Sequence, residues 1–173
     1  MKKTIYTTIL ICIFSLTTHS QITEGNWMVG GDAIIRGYKF ENSEKFNYYA
    51  EIFPKVGYFI SDKFVVGSEI GVFINEATFY TSFVPFTRYY LLDVEKIVNP
   101  FIEGGVGIKI IKDRQIESTS NRFIYQLKAG ISIFFTNSVG LNVTLNYKDN
   151  YPFQSTQEIS VAFGFQVHFK KNH

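Results

Sequence analysis

Few residues of this chain could do chemistry. Its one cysteine, Cys12, stands in an apolar run near the start, and of its three histidines only His168 lies inside a stretch of regular alternation. A histidine base, as in a lipid-modifying hydrolase, needs a serine within hydrogen-bond reach and an acid to orient the ring. His168 has no H-x-S pattern beside it and falls on the polar face of its strand, so it reads as a polar interior residue and no catalytic residue is expected. No His, Cys, Asp and Glu group has the spacing of metal ligands. Gly104-Gly105-Val106-Gly107 lacks the following helix that a phosphate cradle requires, and no cofactor is expected. What remains is charge: Asp32, Glu51, Glu69, Glu103 and Glu158 against Arg36, Lys55, Arg88, Lys109, Lys128 and Lys148. The signs nearly cancel, and charges withdrawn from water persist only when paired and hydrogen-bonded. With His168, they are expected to form a structural network inside the fold.

The elements that must position these residues are strands. Glu158 to Phe169 alternates strictly, with Ile159, Val161, Phe163, Phe165, Val167 and Phe169 on one face and Glu158, Ser160, Ala162, Gly164, Gln166 and His168 on the other, because successive side chains of a strand point to opposite sides. Similar segments run approximately from Asn26 to Tyr38, Asn47 to Ile60, Phe64 to Asn75, Ser82 to Leu92, Pro100 to Lys112, Arg122 to Thr136 and Val139 to Lys148. The third, fifth, sixth, seventh and eighth alternate cleanly, and the first, second and fourth are noisier. Pro54 and Pro85 fall inside two of the noisy ones, where each removes a ladder hydrogen bond, so bulges or local strand ends are expected there. Tight turns at Ser61-Asp62-Lys63 and Thr136-Asn137-Ser138 alternate with longer polar connections (39–46, 76–81, 113–121, 149–157), the pattern of a meander. The 93–99 turn is long for its place.

Alternation alone does not separate a membrane barrel from a soluble lipocalin-like carrier. Three features favour the membrane. The polar face is crowded with glycine and other small residues, its charges balance, and aromatics collect at two levels: Trp27, Tyr58, Phe64, Tyr89, Phe101, Phe135 and Phe169 at one, Tyr38, Tyr48, Phe83, Phe123 and Tyr147 at the other, as interfacial girdles do. The fold class expected is all-β, an eight-stranded antiparallel up-and-down transmembrane β-barrel, a width that side chains just fill. A plugged lumen is therefore favoured over a small-solute pore.

The chain opens with Lys2 and Lys3, an apolar run from Ile5 to Leu16, and small residues Thr18 and Ser20. This is the layout of a secretory signal peptide, too short to span a bilayer. Residues 1–20 are expected to be removed after Ser20, leaving 21–173 as one barrel domain. Cys12 would leave with the leader, and Ile11 before it argues against a lipoprotein. Without Lys2 and Lys3 the 17 basic residues become 15, equal to the 15 acidic ones, which gives no support to a nucleic-acid partner.

The leader, the G-N-W-M-V-G-G opening at Gly25 to Gly31, the P-F-T-R-Y-Y run at Pro85 to Tyr90, the P-F-I-E-G-G-V-G run at Pro100 to Gly107 and the aromatic end of the last strand resemble the small outer-membrane barrel family of OmpX/OmpA-like proteins. The resemblance covers the whole chain after the leader. It implies an eight-stranded meander in the outer membrane of a Gram-negative envelope, with the short turns in the periplasm and no shared catalytic residues. It also implies that Phe169 is the assembly signal read by the barrel-assembly machinery, although Lys170-Lys171-Asn172-His173 follow it here. The function expected is that of a monomeric structural or interaction protein, in adhesion or envelope integrity, with outer-membrane lipid around it and an unidentified extracellular ligand at its loops.

Overall fold

Where the sequence alternates, one side of the chain is greasy and the other is not, and eight such stretches pair edge to edge in a single sheet. A computed structural model describes residues 22–38, 47–74, 78–93, 95–113, 118–151 and 158–170; the expected leader lies outside them. The strands are β1 (Asn26–Tyr38), β2 (Asn47–Ser61), β3 (Phe64–Ile74), β4 (Thr78–Tyr90), β5 (Val98–Asp113), β6 (Ser118–Phe134), β7 (Val139–Tyr151) and β8 (Glu158–Lys170). Each pairs antiparallel with the next, and β8 returns to β1, with Trp27 opposite Phe169, to close the barrel. The all-β up-and-down architecture read from the sequence is the one observed.

Two strands begin four residues earlier than their alternation suggests. Thr78 to Thr81 pair with Ile110 to Asp113, and Ser118 to Asn121 pair with Ile110 to Asp113 on the other side of β5. Neither Thr78-Phe79-Tyr80-Thr81 nor Ser118-Thr119-Ser120-Asn121 alternates apolar with polar on its own, and a neighbour's backbone holds them in the sheet. The connections there shrink to residues 75–77 and 114–117.

The prolines correct a second expectation. β2 and β4 run unbroken through Pro54 and Pro85, and both residues point outward. Phe53 and Pro54 drop out of the β2–β3 pairing, and Val84 and Pro85 out of the β4–β5 pairing, with the register identical on either side of each gap. Proline has no N–H to donate, so each gap is a missing bond and not an inserted residue. The one register shift in these pairings falls between Phe59 and Ser61, at the turn where Lys63 takes a φ of 67°.

The barrel is inside out. Outward side chains such as Leu127 (61% exposed), Phe163 (64%) and Val161 (52%) are apolar, whereas Lys55, Glu69, Arg88, Glu103 and Lys128 are buried in the lumen. A contiguous apolar belt on this scale suits hydrocarbon and not water. Near the end where β1 begins and β8 ends, Trp27 meets Tyr58 edge-on at 5.1 Å, and Phe64 pairs with Tyr89. Phe101, expected in that row, faces inward and is 1% exposed. Its parity is that of Glu103, and the aromatic type misleads. Side chains of Tyr38 and Tyr48 lie outside the described residues.

Replacing Pro85 by Val restores the missing donor on the β4–β5 edge. A gain of about 1 kcal/mol is expected from one ladder bond, read as a higher urea midpoint for unfolding from lipid bilayers. An unchanged or lower midpoint would show that the absent N–H is not what the gap lacks.

Candidate functional site

The lumen has two storeys built by residue parity. The upper is ionic. From β1 to β6 each strand puts one charge at this level and the sign alternates strand by strand: Asp32, Lys55, Glu69, Arg88, Glu103, Lys128. β7 and β8 complete the circuit with amides, Asn142 and Gln166. Lys55 Nζ lies 2.7 Å from Asp32, 3.2 Å from Glu69 and 3.4 Å from Glu103. Lys128 Nζ bonds Glu69 and lies 3.1 Å from Glu103. Arg88 binds Glu103 through two nitrogens, Nε at 2.8 Å and Nη2 at 2.6 Å, and its Nη1 donates to Gln166 Oε1 at 2.9 Å. Gln166 accepts further bonds from Tyr90 and Asn142 and donates to Ser132.

Three cations and three anions thus neutralise one another in a space where an isolated charge would cost several kcal/mol. Small residues make the room. A Cβ on Gly164 would strike the Asp32 carboxylate and the Gly31 carbonyl, and one on Gly71 would strike Ser82 Oγ and Phe53.

The lower storey, toward the termini, is an apolar floor. Ile22, Met28, Phe59, Val65, Phe86, Tyr90, Phe101 and Phe134 form one buried cluster. The Arg88 guanidinium lies 4.0 Å from the centre of the Phe101 ring, so a cation–π contact joins the two storeys. His168 packs edge-on against Phe59 at 5.2 Å and Phe134 at 5.5 Å, the position of a packed floor residue. Ile22, which precedes β1, is fully buried in this cluster. Its carbonyl accepts from Lys63 N–H, while Gly25 N–H donates to Phe59 O and Glu24 N–H to Asp62 Oδ1, each at 2.9 Å. Gly25 turns the chain out of the mouth at φ 83°, a backbone region open to glycine.

Of the charges read from the sequence, Asp32, Lys55, Glu69, Arg88, Glu103 and Lys128 come together. Glu51 is buried and Lys109 and Lys148 are half-buried nearer the loop end, where Lys109 covers Tyr80 and Lys148 covers Phe53 at 3.8 and 3.7 Å. Arg36 and Glu158 belong to β1 and β8, but their side chains lie outside the described residues. The floor adds an apolar layer to the charge network expected from the sequence. Its signal is the inward parity of Met28, Phe59, Phe86 and Tyr90, which is what makes the first, second and fourth segments noisy. Among the described residues, no cluster of three or more His, Cys, Asp or Glu side chains could hold a metal.

At the terminus end, outside the lumen, Lys63 Nζ bonds Asp93 at 2.7 Å. This bond holds the Asp93 carboxyl below its ordinary 3.8, and it raises the Lys63 ammonium. The link between the β2–β3 and β4–β5 turns is therefore complete above the ordinary carboxylate range and is lost as pH falls through the lowered Asp93 value. In an NMR titration, Asp93 should protonate below its usual pH and return toward it in Lys63→Met. Identical titrations in the two proteins would remove the tether.

Within the lumen, Arg88→Met or Glu103→Leu alone should destabilise the barrel by roughly 3–5 kcal/mol, by leaving a charge buried without its partner. The double variant should lose clearly less than the sum. Urea unfolding followed by the fluorescence of Trp27, the only tryptophan, measures both; strictly additive losses would mean that the two groups are independent.

No protein-family model matches the sequence, and no curated protein does. Solved structures match its shape. The N-terminal β-barrel domain of Pseudomonas aeruginosa OprF superposes with a TM-score of 0.65 at 14% identity, covering 84% of this chain and 98% of that one. Neisserial surface protein A superposes at 0.64 with 15% identity, over 84% of this chain and 98% of that one. The outer membrane protein OprG of Pseudomonas aeruginosa gives 0.57 at 12% identity, over 87% and 98%. The chain has the fold of the small eight-stranded outer-membrane barrels.

Proposed function

We propose that the chain is an integral outer-membrane barrel with a closed lumen, serving as a structural or interaction protein at the cell surface. The observation that carries this reading is the pairing of a self-neutralised charge layer with an apolar floor: an ion entering from the loop end meets bonded charges, then packed rings. In so narrow a barrel that arrangement favours a plug over a small-solute pore. The lipid-facing belt supports residence in a bilayer, and OprG and the Neisserial protein, which share the fold, are an outer membrane protein and a surface protein by name. Partners would be met by the connections at the loop end.

The same reading takes residues 1–20 as a leader removed on export and the barrel as a monomer. Phe169 would be the residue read during assembly. It sits 42% exposed on the outer face, opposite Trp27, which supports that role.

Two measurements test this. In planar bilayers the purified protein should give no current steps above leak, and discrete steps would overturn the closed lumen. On fractionation it should stay with the outer membrane until detergent is added, and release with the periplasm would overturn the placement.

A further inference from the structure

β4 and β5 part for two residues in the middle of the outer wall. In their common register Val84 would face Gly107 and Pro85 would face Val106. Neither pair forms, although Phe83 with Ile108 on one side and Phe86 with Gly105 on the other both do. Pro85 keeps its place opposite Ser68 on β3, so the bond it cannot give is the one toward β5. The Val106 carbonyl is thereby left without its ladder donor, and among the described residues no side chain takes the donor's place.

The wall is hollowed at the same spot. Val66, Pro85, Thr87, Gly104 and Val106 line a recess of about 470 Å³ in the outer surface, and a Cβ added to Gly104 would meet nothing within 4 Å. Leu127 beside Gly104 and Tyr125 beside Val106 stand proud on the β6 side, 61% and 40% exposed. Ser68 and Thr87, partners of Pro85 and Gly104, bring two hydroxyls to its edge. Their chain neighbours Glu69 and Glu103 belong to the ionic layer, so the recess stands back to back with that layer.

A mostly apolar hollow of this size with a few polar groups has the make-up of a small-molecule site. Its mouth opens onto the apolar belt, so whatever fills it comes from the bilayer. Hydrocarbon chains would fill the space and leave the carbonyl unmet, and water is excluded at this depth. The donor must come with the occupant.

We propose that the recess binds a lipid-dissolved apolar molecule carrying a hydroxyl, whose O–H bonds the Val106 carbonyl in place of the N–H that Pro85 lacks. The Ser68 and Thr87 hydroxyls can donate to the same oxygen, and Val66, Val106 and Leu127 hold the apolar body. The ligand enters sideways from the leaflet and uses no path through the lumen. Such binding rests on the bilayer placement proposed above and is independent of whether the lumen conducts.

The test is photolabelling of the protein in lipid bilayers with a diazirine-bearing octanol and with its methyl ether, which has no donor. The alcohol should label β3 to β5 around Ser68, Pro85 and Val106 roughly tenfold more than the side of Leu145 and Phe163, the ratio one hydrogen bond gives. The ether should label both sides alike. Gly104→Phe should fill the recess and abolish the preference, and Pro85→Val, which returns an N–H to the Val106 carbonyl, should cut it severalfold, with the folding of each variant read from Trp27 fluorescence. Even labelling by the alcohol, or an equal preference from the ether, overturns the site while leaving the bilayer placement standing. An ether that labels neither side overturns the placement, and the site with it.

Discussion

Eight strands leave room inside for little more than one side chain from each wall, and that limit governs the rest of the molecule. Charges that meet across so narrow a space cannot each keep a hydration shell, so every one must find an opposite within contact distance. Alternating the sign from β1 to β6 achieves this with a single charge per strand. Each charged residue then has an opposite charge on an adjoining strand, and Lys55 and Lys128 reach several carboxylates at once. The amides of β7 and β8 close the ring without adding a charge that would need a partner.

The floor follows from the same limit. Toward the termini the inward positions carry large rings, which fill the cross-section by volume and need no bonds across it. A barrel of this width can be stopped by either chemistry; this one uses both, and Arg88 belongs to each, bound to Glu103 above and lying on Phe101 below. The β1 entry completes the floor, because Ile22 packs there and three hydrogen bonds moor its segment to β2 and the following turn.

Much of this was legible before any coordinates. Strand parity alone put Asp32, Lys55, Glu69, Arg88, Glu103 and Lys128 on one side, because a two-residue repeat fixes the face of every residue once one is known. What parity could not give was height, since a residue's level in the lumen depends on strand tilt and register, and these are set by pairing partners far away in sequence. Glu51, Lys109 and Lys148 share the face but not the level. The aromatic type of Phe101 points to a girdle while its position points inward, and position wins; the early starts of β4 and β6 carry no alternation, because only a neighbour holds those ends in place.

The burial of Ile22 bears on the order of events in the protein's life. If the leader is cut after Ser20, a single residue separates the new amino terminus from a side chain packed among rings. A peptidase needs several extended residues around the bond it cleaves, and the closed floor would deny them. In that case the cut would have to come before the mouth shuts, while the residues around Gln21 can still be drawn out.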